Sequence, residues 1–362
     1  MLEFSQTPES ICILRLSAIG DVTHILPIIH TLQKVWPQTK ITWVIGKLEY
    51  GLVKSLADIE FIVFEKSDGW RAYHRLRRQF KARRFDLLLM MQTSLRASLA
   101  SLCIPARYKL GFDKQRAINF QWLFSNCAIN GEHRVHVLDG FFQFLQALAI
   151  NERCLQWDLP IAAADLNYAR KISDQQAYVV INPCSSIRRN NWRNWSGARY
   201  AEIIDYLADK QLRVILTGGP SAQELEIAQS ITGKSNAKPI NLVGQTSLDE
   251  LLALLKEASF VIAPDTGPAH MATVANTPVI GLYASSNPQR TGPYNGQSSV
   301  VNRYPDALMK FKQKTVMEAC WGERVRDPRV MTLITVADVK YQIDQLLLTR
   351  PGKNGRVKLR PI

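Results

Sequence analysis

AYVVIN (177–182) decides the fold, because it restarts midway along the chain the pattern that ICILRL (11–16) opens near its beginning. Each is a short apolar run rich in β-branched residues, and each heads an alternation of strand and helix. After ICILRL a helix is expected over about 21–36, then the strands ITWVI (41–45), FIVF (61–64) and DLLLMM (86–91) with helical segments between them. After AYVVIN come RVILTG (213–218), FVIAPD (260–265) and PVIGLY (278–283), with helices expected over 196–209, 221–232, 247–257 and 267–276. Short buried strands alternating with helices imply parallel sheets and right-handed crossovers. The pattern predicts an α/β protein of two Rossmann-like domains facing a cleft. The domains are expected at 1–170 and 171–335, with the boundary inside 160–176. A last helix, VADVKYQIDQLLL (336–348), leads into a basic tail that ends at 362.

Composition narrows the class. The 362 residues are 46% hydrophobic and 21% charged, which excludes a disordered or low-complexity chain. No run approaches the length of uncharged apolar sequence that a membrane span needs. MLEFSQTPES lacks the basic stretch of a secretory leader, and Arg15 interrupts the apolar run behind it, so a cytoplasmic location is expected. The six Cys are scattered without a C-x-x-C pair, as in reduced packing cysteines rather than disulfides or a zinc site. The net charge of +14 is local. Residues 71–84 (RAYHRLRRQFKARR) hold seven basic residues and no acid, and 350–362 (RPGKNGRVKLRPI) hold five and no acid. Such basicity points to an anionic partner: nucleic acid, an anionic membrane surface or a phosphorylated substrate. No nucleic-acid module is recognisable. Trp70, Tyr73, Leu76 and Phe80 at helical spacing make 71–84 an amphipathic helix with either a binding face or a plain solvated one.

Ligands of open parallel sheets sit beyond the carboxyl ends of the strands, so the loops there are the places to search. In LSAIGDVTHILP (16–27) Gly20 lets the chain turn into a helix, and Asp21 is either its N-cap or a general base for a hydroxyl. The dinucleotide pattern G-x-G-x-x-G is absent there. PDTGPAHMA (264–272) puts Asp265, Thr266 and Gly267 before a helix containing His270, which is a ready anion site or a simple capped helix. INPCSSIRRNNWRNW (181–195) offers Ser185, Ser186, Arg188, Arg189 and Arg193 to a phosphate, or reads as an exposed basic loop anchored by Trp192 and Trp195. In LTGGPSAQELE (216–226) Glu224 either reaches a ribose or is a first-turn acid. In GQTSLDELLALL (244–255) Thr246 and Ser247 form a capping box with Glu250, and the backbone at Thr246 could line a base pocket.

In this order, these loops resemble the heptosyltransferases of lipopolysaccharide core synthesis, glycosyltransferase family nine, over about 11–290. The resemblance implies the GT-B architecture. It also implies that Asp21 is the catalytic base, and that Ser185, Ser186, Arg193, Glu224, Thr246, Asp265, Thr266, Gly267 and His270 bind the donor, ADP-heptose. Arg193 stands where many members have a phosphate-binding lysine. The acceptor, a lipid A–Kdo type lipopolysaccharide precursor, would meet the N-terminal domain through Ser17, Gly20, Arg71, Arg75, Arg78, Arg96 and Arg116, with Arg107 and Lys109 nearby. An alcohol attacking an anomeric carbon as a nucleoside diphosphate leaves needs a base and anion stabilisation. Both are supplied without a metal, the chain has no D-x-D, and attack with Asp21 as base inverts the carbon. No cofactor and no nucleic acid is implied. The basic tail would hold the protein on the cytoplasmic face of the anionic inner membrane. The competing readings are a related transferase with another nucleotide sugar or acceptor, a GT-B-like epimerase, and a non-catalytic basic protein that binds membrane or nucleic acid.

Overall fold

The computed structural model describes residues 7–185 and 191–349. The chain divides into two compact units between Pro160 and Ile161.

The first unit runs β1 (Ser10–Leu14), α1 (Ile19–Thr23), α2 (Ile25–Val35), β2 (Lys40–Gly46), α3 (Lys47–Val53) and β3 (Ile59–Phe64). It continues through α4 (Trp70–Gln79), β4 (Phe85–Leu89), α5 (Leu95–Leu102), β5 (Ala106–Gly111), β6 (Cys127–Ala128) and α6 (Val137–Gln146). Its six strands are parallel in the order β3-β2-β1-β4-β5-β6. β1 is central: Ile11 stands opposite Ile41 on one side and Leu87 on the other. Ile11 through Leu14 are fully buried, which is why the strand reads as an unbroken apolar run.

The second unit opens with α7 (Ala163–Ser173), β7 (Tyr178–Ile181), α8 (Gly197–Asp209), β8 (Arg213–Leu216), α9 (Ala222–Lys234) and β9 (Ile240–Asn241). Then follow α10 (Leu248–Glu257), β10 (Phe260–Pro264), α11 (Gly267–Val274), β11 (Val279–Tyr283) and α12 (Pro288–Thr291). It ends with β12 (Val301–Asn302), α13 (Tyr304–Lys312) and α14 (Val336–Thr349). Its parallel sheet has the order β12-β11-β10-β7-β8-β9. With strands counted from the start of each unit, both sheets read 3-2-1-4-5-6, the Rossmann order. Tyr200, Phe260, Tyr304, Val339 and Ile343 share one core, so α14 belongs to this unit.

Four sequence expectations change. The expected division at 170/171 would cut α7. Arg170 pairs with Glu257 at 3.4 Å, and Arg213 donates to the Ser173 carbonyl at 3.2 Å, so the whole helix sits with the second unit. The helix expected over 21–36 is two helices broken at His24. Pro27 has no N–H to donate back toward Thr23, and its ring crowds that carbonyl, so one ladder cannot run through. The basic helix ends at Gln79. Arg83, beyond it, is an ion-pair partner of Glu60 at 2.6 Å and lies over the Phe80 and Phe85 rings. Trp70 does not join the buried face formed by Ala72, Leu76 and Phe80; it is exposed. The tail 350–362 lies outside the described residues. Among the described residues no helix is long and apolar enough to cross a membrane.

Candidate active site

In this strand order the sheet switches direction beside its first strand, and the loops on either side of that point are the natural ligand site. In the first unit those loops follow β1 and β4. Gln92, just past β4, clamps the loop after β1: its Oε1 accepts from the Leu16 and Ser17 N–H groups (2.7 and 3.2 Å), and its Nε2 donates to Ser17 and Ser94 hydroxyls (3.3 and 3.1 Å). Gln121, fully buried, donates to the Met90 and Gln92 carbonyls at 3.0 and 2.9 Å and so holds the clamp itself.

Asp21 is the third residue of α1, and Ala18 occupies the cap position. The Asp21 carboxylate accepts weakly from the Ala18 N–H at 3.4 Å and forms an ion pair with Arg15. The Asp21 side chain is 35% exposed and that of Arg15 10%. Arg15 also donates to the Met91 carbonyl and lies over the Phe141 ring at 5.3 Å, so it is a fixed post for the carboxylate. The expected N-cap role is therefore not realised: Asp21 stands inside the first turn, reaching back to the cap N–H, and its carboxylate stays accessible. Gly20 is buried at the turn and Ser17 half-buried.

The basic residues expected at the acceptor separate into two groups. Arg71, Arg78 and Arg96 are exposed, and Arg75, also exposed, pairs with Asp68 at 2.5 Å. Arg116 is turned inward. It binds Asp113 and Gln143 side chains, donates to the Glu132 carbonyl at 3.3 Å, and ties two loops together. Lys109 donates to the Ser101 carbonyl at 2.7 Å, and burial lowers its ammonium pKa.

In the second unit the switch point lies between β7 and β10, and Arg193 spans it. Its Nη1 donates to the Asp265 carbonyl at 2.7 Å and lies 3.2 Å from the Asp265 carboxylate. Ser286 donates to the same carboxylate at 2.9 Å. Asn191 accepts from the Arg193 N–H and Nε, both at 3.2 Å, and reaches Ser185 Oγ at 2.5 Å. Asn194 accepts from the Ser185 N–H and hydroxyl at 2.9 and 3.1 Å. Ser185 is buried, and Ser186, Arg188 and Arg189 lie outside the described residues. Thr266 occupies the cap position of α11 with no capping hydrogen bond from its side chain, and Thr266 and Gly267 are half-buried, leaving the helix start reachable beside Arg193; His270 is buried one turn in. Cys184, next to Ser185, is no nucleophile: burial pushes its thiol up to about 12, with the Glu224 charge adding to it.

Glu224 accepts from the Gly219 N–H at 2.9 Å and from the Ser221 hydroxyl at 2.7 Å, so the first-turn role is realised. The capping box of α10 is formed by Ser247 and Glu250, and Thr246 stands just before it, half-buried. Gly244 has φ +75° and donates to the Gly218 carbonyl at 2.9 Å, which joins the loops after β8 and β9 into one wall. Among the described residues no group of three or more His, Cys, Asp or Glu is placed to hold a metal ion.

A sequence model of glycosyltransferase family 9 (heptosyltransferase) matches residues 73–321. The chain belongs to glycosyltransferase family 9. This family-9 enzyme is 40% identical over 344 residues to the lipopolysaccharide core heptosyltransferase OpsX of Haemophilus influenzae, covering 95% of this chain and 98% of that one. It is 25% identical to lipopolysaccharide heptosyltransferase 3 of Escherichia coli, covering 91% and 95%. Its fold matches a family 9 glycosyltransferase from Veillonella parvula, with a TM-score of 0.77 at 21% identity over 94% of this chain and 98% of that one. The fold also matches E. coli heptosyltransferase WaaC with ADP, with a TM-score of 0.70 at 21% identity over 93% and 99%. Membership retires the non-catalytic reading, since the protein is a glycosyltransferase. The residues missed in the sequence are Arg15, Gln92, Asn191, Asn194 and Ser286. Gln92 had a usable signal, since it directly follows the expected strand DLLLMM (86–91), where a ligand loop begins.

Proposed function

We propose that this glycosyltransferase moves a heptose from ADP-heptose to a Kdo or heptose hydroxyl of the lipopolysaccharide inner core. The observation that carries the reading is the Arg193–Asp265 bridge beside the reachable start of α11. A guanidinium and a helix N-terminus at one switch point suit a diphosphate. The lipopolysaccharide core named for the H. influenzae relative and the ADP named for the E. coli enzyme agree with it.

On this reading the second unit binds donor and the first binds acceptor. Asp21 takes the proton of the acceptor hydroxyl, with Arg15 holding its carboxylate in place. The hydroxyl oxygen bonds to the anomeric carbon as the bond to the diphosphate breaks, and ADP leaves with the electron pair. One displacement inverts that carbon. The growing charge falls on Arg193, Ser185, Ser186, Thr266, Gly267 and His270, and no metal is required. Asp265 positions Arg193, Glu224 meets the ribose while keeping its first-turn contacts, and Thr246 lines the base pocket. Ser17, Gly20, Arg71, Arg75, Arg78 and Arg96 meet the acceptor, and the protein works peripherally at the cytoplasmic face of the inner membrane. Arg116 supports the neighbouring loops from within.

The test is transfer from ADP-heptose to a heptose-deficient lipopolysaccharide precursor in EDTA, with Asp21→Ala and Asp21→Asn beside wild type. The expected result is metal-free transfer by wild type and a loss of about 10²–10⁴-fold in both variants, with ADP binding intact. Transfer by Asp21→Asn at the wild-type rate overturns the base. ADP binding without transfer moves the search to another sugar or acceptor, and no ADP binding overturns the donor.

A further inference from the structure

The first unit carries a group of large apolar side chains that packing does not use. Trp70, Leu95, Phe120 and Leu123 are 71%, 54%, 68% and 63% exposed, and Ile118 and Trp122 beside them are also exposed. They belong to three segments that follow β3, β4 and β5, at the carboxyl edge of the parallel sheet. A chain of contacts connects the segments. The Trp70 ring lies 5.4 Å from that of Tyr73, and the Tyr73 hydroxyl donates to the Arg96 carbonyl next to Leu95. The Ser94 hydroxyl accepts from Gln92, whose carbonyl accepts from Gln121, between Phe120 and Trp122. Gln121 is fully buried, so Phe120, Trp122 and Leu123 are borne on an anchored loop.

Phe120 has φ +56° and ψ +31°, left-handed backbone that a bulky side chain rarely takes and that Asn or Gly suits better. An aromatic ring kept there while exposed gains nothing from the core, which points to a use outside it. The charges beside the group are basic apart from Asp68, which Arg75 pairs, and Asp113, which Arg116 holds. Arg71 follows Trp70, Arg96 follows Leu95, and the Lys114 ammonium lies 5.0 Å from the Trp122 ring centroid. Exposed Trp, Phe and Leu interleaved with Arg and Lys match a bilayer interface, where apolar rings sink below anionic headgroups and cations stay among them.

We propose that this ridge is the membrane-docking surface of the protein and that it inserts into an anionic lipid bilayer. The proposal goes beyond the peripheral location given above by making insertion, rather than the basic segments alone, the source of binding. It does not depend on which sugar is transferred.

The experiment uses the full chain with vesicles of phosphatidylethanolamine and phosphatidylglycerol, and vesicles of phosphatidylcholine for comparison. Binding is measured by co-sedimentation. The double variant Phe120→Asn with Leu123→Ser keeps the left-handed turn and removes the apolar tips. It is expected to bind the anionic vesicles at least tenfold more weakly than wild type, with its thermal midpoint and ADP binding unchanged. Raising salt is expected to weaken wild type only in part, because the apolar share is not screened. Equal binding by wild type and the double variant overturns the ridge and leaves membrane contact to the basic segments. No binding by wild type overturns the docking surface altogether. A wild-type dimer in light scattering that the double variant abolishes shows a second copy covering the ridge, and that too overturns it.

Discussion

Removing the Arg193 side chain would leave the Asp265 carboxylate, 8% exposed, with the Ser286 hydroxyl and, among the described residues, no cation bound to it. An ion pair buried to that degree is costly to break from one side, because the remaining charge stays desolvated. Arg193→Ala is expected to cost about 3 kcal/mol in chemical unfolding, the lower end for such pairs since Ser286 still donates. It is also expected to weaken ADP binding at least tenfold by calorimetry. Arg193→Lys keeps charge but loses the fork that reaches the Asp265 carbonyl and carboxylate and Asn191 together. It should fall between the two. If Arg193→Ala binds ADP as wild type does, the diphosphate lies elsewhere. The local sequence offered Arg193 to a phosphate but gave no sign of its partner Asp265. The Asp265 contact joins residues 72 apart, and no spacing rule reports which loops meet across a switch point.

At the scale of loops and elements, Gly244 of the second unit is constrained by both space and backbone. A Cβ there would stand 3.0 Å from the Pro220 Cα, and the φ of +75° disfavours any side chain. Gly244→Ala is therefore expected to cost about 1–3 kcal/mol and to weaken ADP binding by pushing the loops after β8 and β9 apart. A thermal midpoint and an ADP affinity equal to wild type would contradict this. In the first unit the Asp113–Arg116 pair braces the loop after β5. Burial raises the Asp113 pKa, but hydrogen bonds from Arg116 and the backbone outweigh it, and the carboxyl sits below its ordinary value of 3.8. A lowered acid stabilises the fold fully above that value and loses its effect as pH falls through the folded one. Asp113→Asn should thus lower the thermal midpoint clearly at about pH 7 and progressively less as pH falls below 3.8. A gap that does not change with pH would remove the charge from the account. These elements also show what sequence patterning can read. ICIL and LLL stood out because central strands are buried on both faces. ARYKLG (106–111) and the two-residue edge strands β6, β9 and β12 are too short or too polar to carry a period.

For the molecule as a whole, two rounds of strand and helix were legible because each round restarts with the same kind of apolar strand. The candidate loops stood out because chemistry-bearing residues cluster where strands end. The ends of the elements and the clamps between loops were not, since they are set by a proline, a buried amide or a distant carboxylate. The division at Pro160–Ile161 has one more consequence. Residues 151–162 carry no helix or strand, so the chain changes unit without any ladder crossing the joint. That makes it a natural seam for recombination. A chimera that exchanges residues 1–160 with the corresponding part of another family member would cut no strand pairing in either sheet. On the proposed division of labour, acceptor choice would then be inherited separately from donor choice, and new glycan linkages would arise by shuffling halves rather than by rebuilding a site.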